Sequence, residues 1–184
     1  MKLDVKEMIL AALFAALTAV GAFIKIPIGP APITLQMIFT ILAGIMLGSK
    51  MGAISQLVYM IIGLLGLPVF AGGTGGVTSV LSPSFGYVIG FVFGAYVIGK
   101  IAEGETKPSF IRLFIASIAG TIVIYLIGVP YLYIVMNNVV GKAMTFANAL
   151  KFGLLIFIPG DLAKCILGAA LGIKVVPAVK KAIA

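Results

Sequence analysis

ITLQMIFTILAGIMLGSKMGAISQLVYMIIGLLGL, residues Ile33–Leu67, is a run of 35 positions with a single charge, Lys50. As one helix rising 1.5 Å per residue it would extend about 52 Å. The hydrocarbon core of a bilayer is about 30 Å thick and takes about 20 apolar residues per crossing. The run is too apolar for water and too long for one crossing. Gly48-Ser49-Lys50-Met51-Gly52, at its middle, supplies both a break and a charge. It therefore reads as a hairpin of two helices, about 33–47 and 52–67.

The same reading extends outward in both directions. Upstream, an apolar helix covers about 8–24, and Ile26-Pro27-Ile28-Gly29-Pro30-Ala31-Pro32 breaks it, since its prolines cannot continue a helix. Lys2 and Lys6 before that helix give it the look of a secretory signal, with Ala19-Val20-Gly21 as a small-residue cleavage site. With apolar runs filling the rest of the chain, it is read as an uncleaved first helix. Downstream, Pro68–Ser84 (PVFAGGTGGVTSVLSPS) contains no charge. An uncharged, half-apolar, glycine-rich loop is expected to dip back into the membrane region, against protein or a cavity. A fourth helix follows over about 85–101, then a polar turn from Ala102 to Ser109, and a fifth helix over about 110–129 that stops at Pro130. Residues 131–151 fit either a surface helix or a folded outer loop. A sixth helix spans about 152–176. The fold class is all-α: one integral-membrane domain, a bundle of six transmembrane helices.

Composition agrees. The 184 residues are 62% hydrophobic and 10% charged, where soluble domains run near 45–50% and 25%. The net charge of +8 is no sign of nucleic-acid binding, because the cations are scattered at the ends of apolar runs rather than gathered on one stripe. With the termini placed in the cytoplasm, nine basic residues lie inside (Lys2, Lys6, Lys50, Lys100, Lys107, Arg112, Lys174, Lys180, Lys181) and three outside (Lys25, Lys142, Lys151). That asymmetry orients the bundle N-in and C-in. Histidine is absent, and the lone Cys165 has no partner for a disulfide or a zinc site. No cofactor or metal is expected.

Two charges interrupt the last span: Asp161 and Lys164, in Phe157–Lys164, FIPGDLAK. A charge at a helix centre in a bilayer costs about 2.5–3.5 kcal/mol. Three residues apart, the two share a face and partly offset each other. They are either a self-neutralising pair or a ligand site, and the expense favours the ligand site. The pair falls in the outer half of its helix, on the same side as the glycine loop and the proline-rich loop, so all three are expected to meet at one outward pocket. Gly86, Gly90 and Gly94, like Gly168 and Gly172, recur at spacings of four and read as helix-packing surfaces. Ala11, Ala12, Ala15, Ala16 and Ala19 give the first helix a small-residue face that packs internally or docks a partner. Gly94–Ile101 (GAYVIGKI) mimics a phosphate-binding loop, but Ile101 stands where magnesium needs Ser or Thr. Any ATP-driven work would require other subunits.

FIPGDLAK, LPVFAGG with the glycines after it, PITLQ, SPSFGY and AGIMLGSKMGAISQLVY, in this order over nearly the whole chain, resemble the BioY family. Those are biotin-specific substrate-binding (S) components of energy-coupling factor (ECF) vitamin transporters. The resemblance implies a multi-pass protein of the prokaryotic cytoplasmic membrane that captures biotin from outside. It implies association with a transmembrane coupling (T) subunit and two cytoplasmic ABC-type ATPases. The biotin site would draw on Asp161, Lys164, Phe70, Gly73, Tyr87, Thr34 and Gln36 within the matching motifs, and on Ser79 in the loop between two of them. An Ala-x-x-x-Ala pattern on the first helix would dock the coupling subunit, as Ala11 with Ala15 or as Ala12 with Ala16. Asp161 would accept from the ureido N–H groups. Lys164 would donate to the ureido carbonyl or pair with the valerate carboxylate, for which Lys25 and the glycine-loop amides are the other candidates.

Two rival classes remain. A stand-alone secondary transporter or facilitator for a small vitamin-like solute would show polar stripes on several helices and internal repeats; only the last helix carries interior charge. An intramembrane Ser–Lys hydrolase using Lys164 would need a nucleophile elbow, and none accompanies it.

Overall fold

The structure, a computed structural model, describes residues 4–104 and 107–183, the side chains of 179–183 excepted. Lys2 and the side chains of Lys180 and Lys181, counted above for orientation, lie outside the described residues, as does Glu105 of the polar turn.

The first apolar run forms α1 (Val5–Phe23). The proline-rich segment after it is not featureless: Lys25–Ile26 (β1) and Ile33–Thr34 (β2) pair antiparallel, Lys25 opposite Thr34. Next comes α2 (Gln36–Leu64), which is continuous as an element yet folded at Gly48, where φ is 79° and ψ −176°. Those angles are essentially glycine's alone. The two limbs run side by side. Gln36 bonds Tyr59 (2.6 Å) and Thr40 bonds Gln56 (3.1 Å) across them, and a Cβ on Gly52 would lie 3.0 Å from the Gly44 Cα. A glycine loop containing a 3₁₀ turn (Val77–Leu81) leads to α3 (Phe85–Ala102), followed by α4 (Phe110–Asn138), α5 (Phe146–Leu150), a π-helical turn (Lys151–Leu155) and α6 (Ile158–Ile183).

Several expected boundaries are corrected. Among the described residues five helices, not six, are long and apolar enough to cross a membrane, because the pair expected at 33–47 and 52–67 is one element with a fold in it. Pro130 does not stop the fifth expected helix, which runs on to Asn138. Pro130 is exposed, and the helix continues through it without the one bond that proline cannot donate. Pro177 is likewise inside α6. The last helix begins at Ile158 rather than Phe152, because the chain spends 151–155 in a π turn and 156–157 in a hydrogen-bonded turn.

α3 is the centre of the packing, wedged between α2 and α4, with α1 on α2 and α6 against α2 and α4. The spaced glycines make this possible: Cβ atoms at Gly90 and Gly94 would crowd Ile124, and at Gly86 would enter Tyr131. The phosphate-loop lookalike Gly94–Ile101 is continuous helix within α3, with Gly94, Ala95, Ile98 and Gly99 buried in this packing.

Candidate functional site

At the end of the bundle away from Gly48, the chain leaves a cavity between the β1–β2 segment, the glycine loop, the starts of α2, α3 and α6, and the middle of α4. Its polar floor is made by three residues. The Lys164 ammonium donates to Asp161 Oδ1 at 2.6 Å, and the Tyr125 hydroxyl donates to Oδ2. Asp161 and Lys164 are only 6% and 8% exposed. Asp161 is in the first turn of α6, where unpaired N–H groups and the helix dipole favour a negative charge. Pro159 suits that first turn, since its missing N–H would have no partner there. The helix-centre cost considered above is therefore softened by position. A carboxylate has about four acceptor directions, so each Asp161 oxygen keeps capacity toward the cavity.

The walls are aromatic and hydroxylic. Phe70 turns inward from the glycine loop and packs edge-on against Tyr59 (5.5 Å) and Phe85 (5.8 Å). The space for it exists because residue 63 is glycine; a Cβ there would overlap its ring. Tyr87 presents its ring, perpendicular to Tyr125 at 6.4 Å, while its hydroxyl donates to the Gly153 carbonyl at 2.6 Å. The π turn thus anchors Tyr87 and delivers Phe157 to the cavity wall. Gln36 is held at both ends, accepting from the Thr34 hydroxyl (3.0 Å) and donating to the Tyr59 oxygen (2.6 Å), which in turn donates to the Val69 carbonyl (3.1 Å).

Comparison with known proteins places this arrangement. The BioY family model matches residues 1–181. A probable biotin transporter BioY of Lysinibacillus sphaericus is 46% identical over 165 residues, 90% of this chain and 84% of that one. The biotin transporter BioY of Thermotoga maritima is 37% identical over 169 residues, 92% of this chain and 95% of that one. A crystal structure of the S-component for biotin from an ECF-type ABC transporter superposes with a TM-score of 0.80 at 32% identity, covering 93% of this chain and 90% of that one. The chain belongs to the BioY family. Like its relatives it is a multi-pass membrane protein and a transporter component, not an enzyme.

Of the eight residues marked from sequence, this BioY member brings Thr34, Gln36, Phe70, Ser79, Tyr87, Asp161 and Lys164 to one cavity. Gly73 is in the Phe70–Thr74 turn but does not line it. The three segments expected to meet do meet. The two alanine registers separate cleanly: Ala11 and Ala15 are 3% and 4% exposed, packed within the chain, while Ala12 and Ala16 are exposed. Ala11 with Ala15 is therefore corrected to an internal contact. Sequence reasoning missed Tyr125, Phe157, Ser82 and Ser84. A serine on each side of Pro83 within an apolar loop was a usable signal; Tyr125, 36 residues from its carboxylate, left none.

Proposed function

We propose that this protein is the S component of an ECF-type transporter and captures biotin in the cavity floored by Asp161 and Lys164. The observation that carries the reading is that floor: a buried acid and base, fixed by each other and by a tyrosine, in a member of a family of biotin transporters. Biotin's ureido ring offers two N–H donors and a carbonyl. Asp161 accepts from the donors and Lys164 donates to the carbonyl, charge-assisted bonds that are strong where water is scarce. The rings of Phe70, Tyr87 and Tyr125 cover the apolar bicycle.

In the membrane, the two limbs of α2 each cross once, giving six passes with α1, α3, α4 and α6. Both termini lie in the cytoplasm of a prokaryotic cell and the cavity opens outward, a reading supported by the nine-to-three division of basic residues. Biotin is taken from outside, and release inward is driven by a coupling (T) subunit with two ABC-type ATPases. That subunit docks on α1 at Ala12 and Ala16, the exposed register, where small side chains permit close helix approach.

Calorimetric titration of biotin into the detergent-purified chain tests the first part, with tight one-to-one binding expected. A folded protein that takes up no heat from biotin would overturn it. Uptake in cells lacking every coupling subunit is expected to be absent; uptake at the full rate there would make the protein a stand-alone carrier.

A further inference from the structure

Charge is distributed unevenly around the cavity. Among the described residues, Asp161 is the only acid at the pocket end, and its partner is Lys164. The floor is thus formally neutral, and a ligand with an anionic tail introduces a charge that the floor does not balance. Three cations remain at this end. Lys151 lies over the Phe152 ring at 5.7 Å. Lys142 borders a separate shallow crevice beside Pro83 and Phe152. Lys25 is placed differently.

Its backbone pairs with Thr34, a cavity residue, in the β1–β2 hairpin. Its ammonium reaches the glycine loop, where it lies 3.2 Å from the point a Cβ on Gly72 would occupy. Gly72 has φ +97°, so the position excludes side chains on backbone grounds and the ammonium occupies the room this leaves. Ala71 and Thr74, on either side of that turn, also line the cavity. Lys25 does not itself line the cavity, but it ties together two segments that do, and among the described residues no carboxylate is paired to it.

We infer that Lys25 receives the carboxylate of the ligand's tail at the cavity rim, and is the residue by which the protein prefers an anionic ligand to a neutral-tailed one. This rests on the biotin reading above. The site is solvated, so the contribution is modest and falls with ionic strength.

The test compares biotin with biotinamide, whose tail is uncharged, by calorimetry on wild type, Lys25→Gln and Lys142→Gln. Wild type is expected to bind biotin about fivefold tighter than biotinamide, the scale of a solvated ion pair, with the gap narrowing as salt is raised. Lys25→Gln should weaken biotin to the biotinamide value and leave biotinamide unchanged; Lys142→Gln should preserve the gap. Equal losses for both ligands in Lys25→Gln, no change for either, or loss of the gap in Lys142→Gln instead, would each overturn the assignment while leaving the biotin reading intact. A wild type that binds neither ligand overturns both.

Discussion

Helices must stop at both ends of this bundle, and the two ends stop them with different chemistry. At the Gly48 end, the Glu103 carboxylate accepts from the Ser49 N–H (3.1 Å) and hydroxyl (2.9 Å), capping the second limb of α2. Arg112 donates through Nε to the Ile101 carbonyl (2.7 Å) and through a terminal nitrogen to the Glu103 carbonyl (2.8 Å), capping α3. Charge there is directed mainly at backbone groups, with an exposed Lys100–Glu103 pair (3.3 Å) beside them. At the pocket end, charge is held by charge and by a hydroxyl, and the remaining lone pairs face a cavity. The first arrangement fastens structure. The second keeps polar groups in place for a ligand, so binding and stability should respond separately to mutations at the two ends.

The largest separation should come from α1, which passes between them. Ala12→Leu with Ala16→Leu should leave biotin binding in detergent intact but abolish co-purification with the coupling subunit and reduce uptake to background. Ala11→Leu with Ala15→Leu should instead destabilise the chain and weaken binding and assembly together, because that face is internal. Loss of binding in the Ala12/Ala16 variant would mean α1 shapes the pocket.

Next in size, Asp161→Asn keeps the volume but removes the charged acceptor. Loss of a charge-assisted bond of about 1.5–3 kcal/mol predicts roughly ten- to a hundredfold weaker biotin binding by calorimetry. Unchanged affinity in the folded variant would make the pair structural and dissolve the contrast between the ends.

At the other end, Gly48→Ala forces a side chain into a glycine-only conformation with its Cβ 3.2 Å from a Glu103 oxygen. Thermal unfolding in detergent should show a loss of about 1–3 kcal/mol, with biotin affinity of the folded protein unchanged. A shift in affinity would show that the turn communicates with the cavity.

The smallest effect belongs to Glu103→Gln, expected to cost about 1 kcal/mol through the weakened cap. Burial works against the Glu103 charge, but the Ser49 hydrogen bonds and Lys100 outweigh it and hold the carboxyl below its ordinary value. Its stabilising contribution is therefore complete above the ordinary glutamate value of about 4.3. It is lost as pH falls from there through the lower folded-state value. Wild type should lose stability over that acid window, and Glu103→Gln should lose less. Parallel acid curves for the two proteins would remove the cap from the account.

Which parts of this were legible in the sequence follows from how local each signal is. Gly48 announced itself because a break and a charge coincided in the middle of an overlong apolar run. Asp161 and Lys164 stood out because charge in such a run is costly. Proline misled: a rule learned from helices in water ended the fifth helix at Pro130, yet the apolar run continues past it as Tyr131–Met136, and the helix continues with it. The π turn at Lys151–Leu155 has no composition of its own and is fixed by contacts such as Tyr87 with Gly153, so periodicity could not place the start of α6. Ala11 with Ala15 and Ala12 with Ala16 have identical spacing, and only the packing of α1 on α2 distinguishes them.

The fold at Gly48 also constrains how the chain could change length. Gln36 meets Tyr59, Thr40 meets Gln56 and Gly44 meets Gly52, partners nearly equidistant from the turn. Adding one residue to either limb would rotate everything beyond it by about 100°, breaking the Gln36–Tyr59 contact that holds Gln36 at the cavity. Length changes in this hairpin are therefore tolerable only where they restore the helical phase, about two turns in each limb, whereas the 139–145 connection is free to lengthen by single residues. Among homologues, variation in length should collect at that connection and spare the 36–64 hairpin.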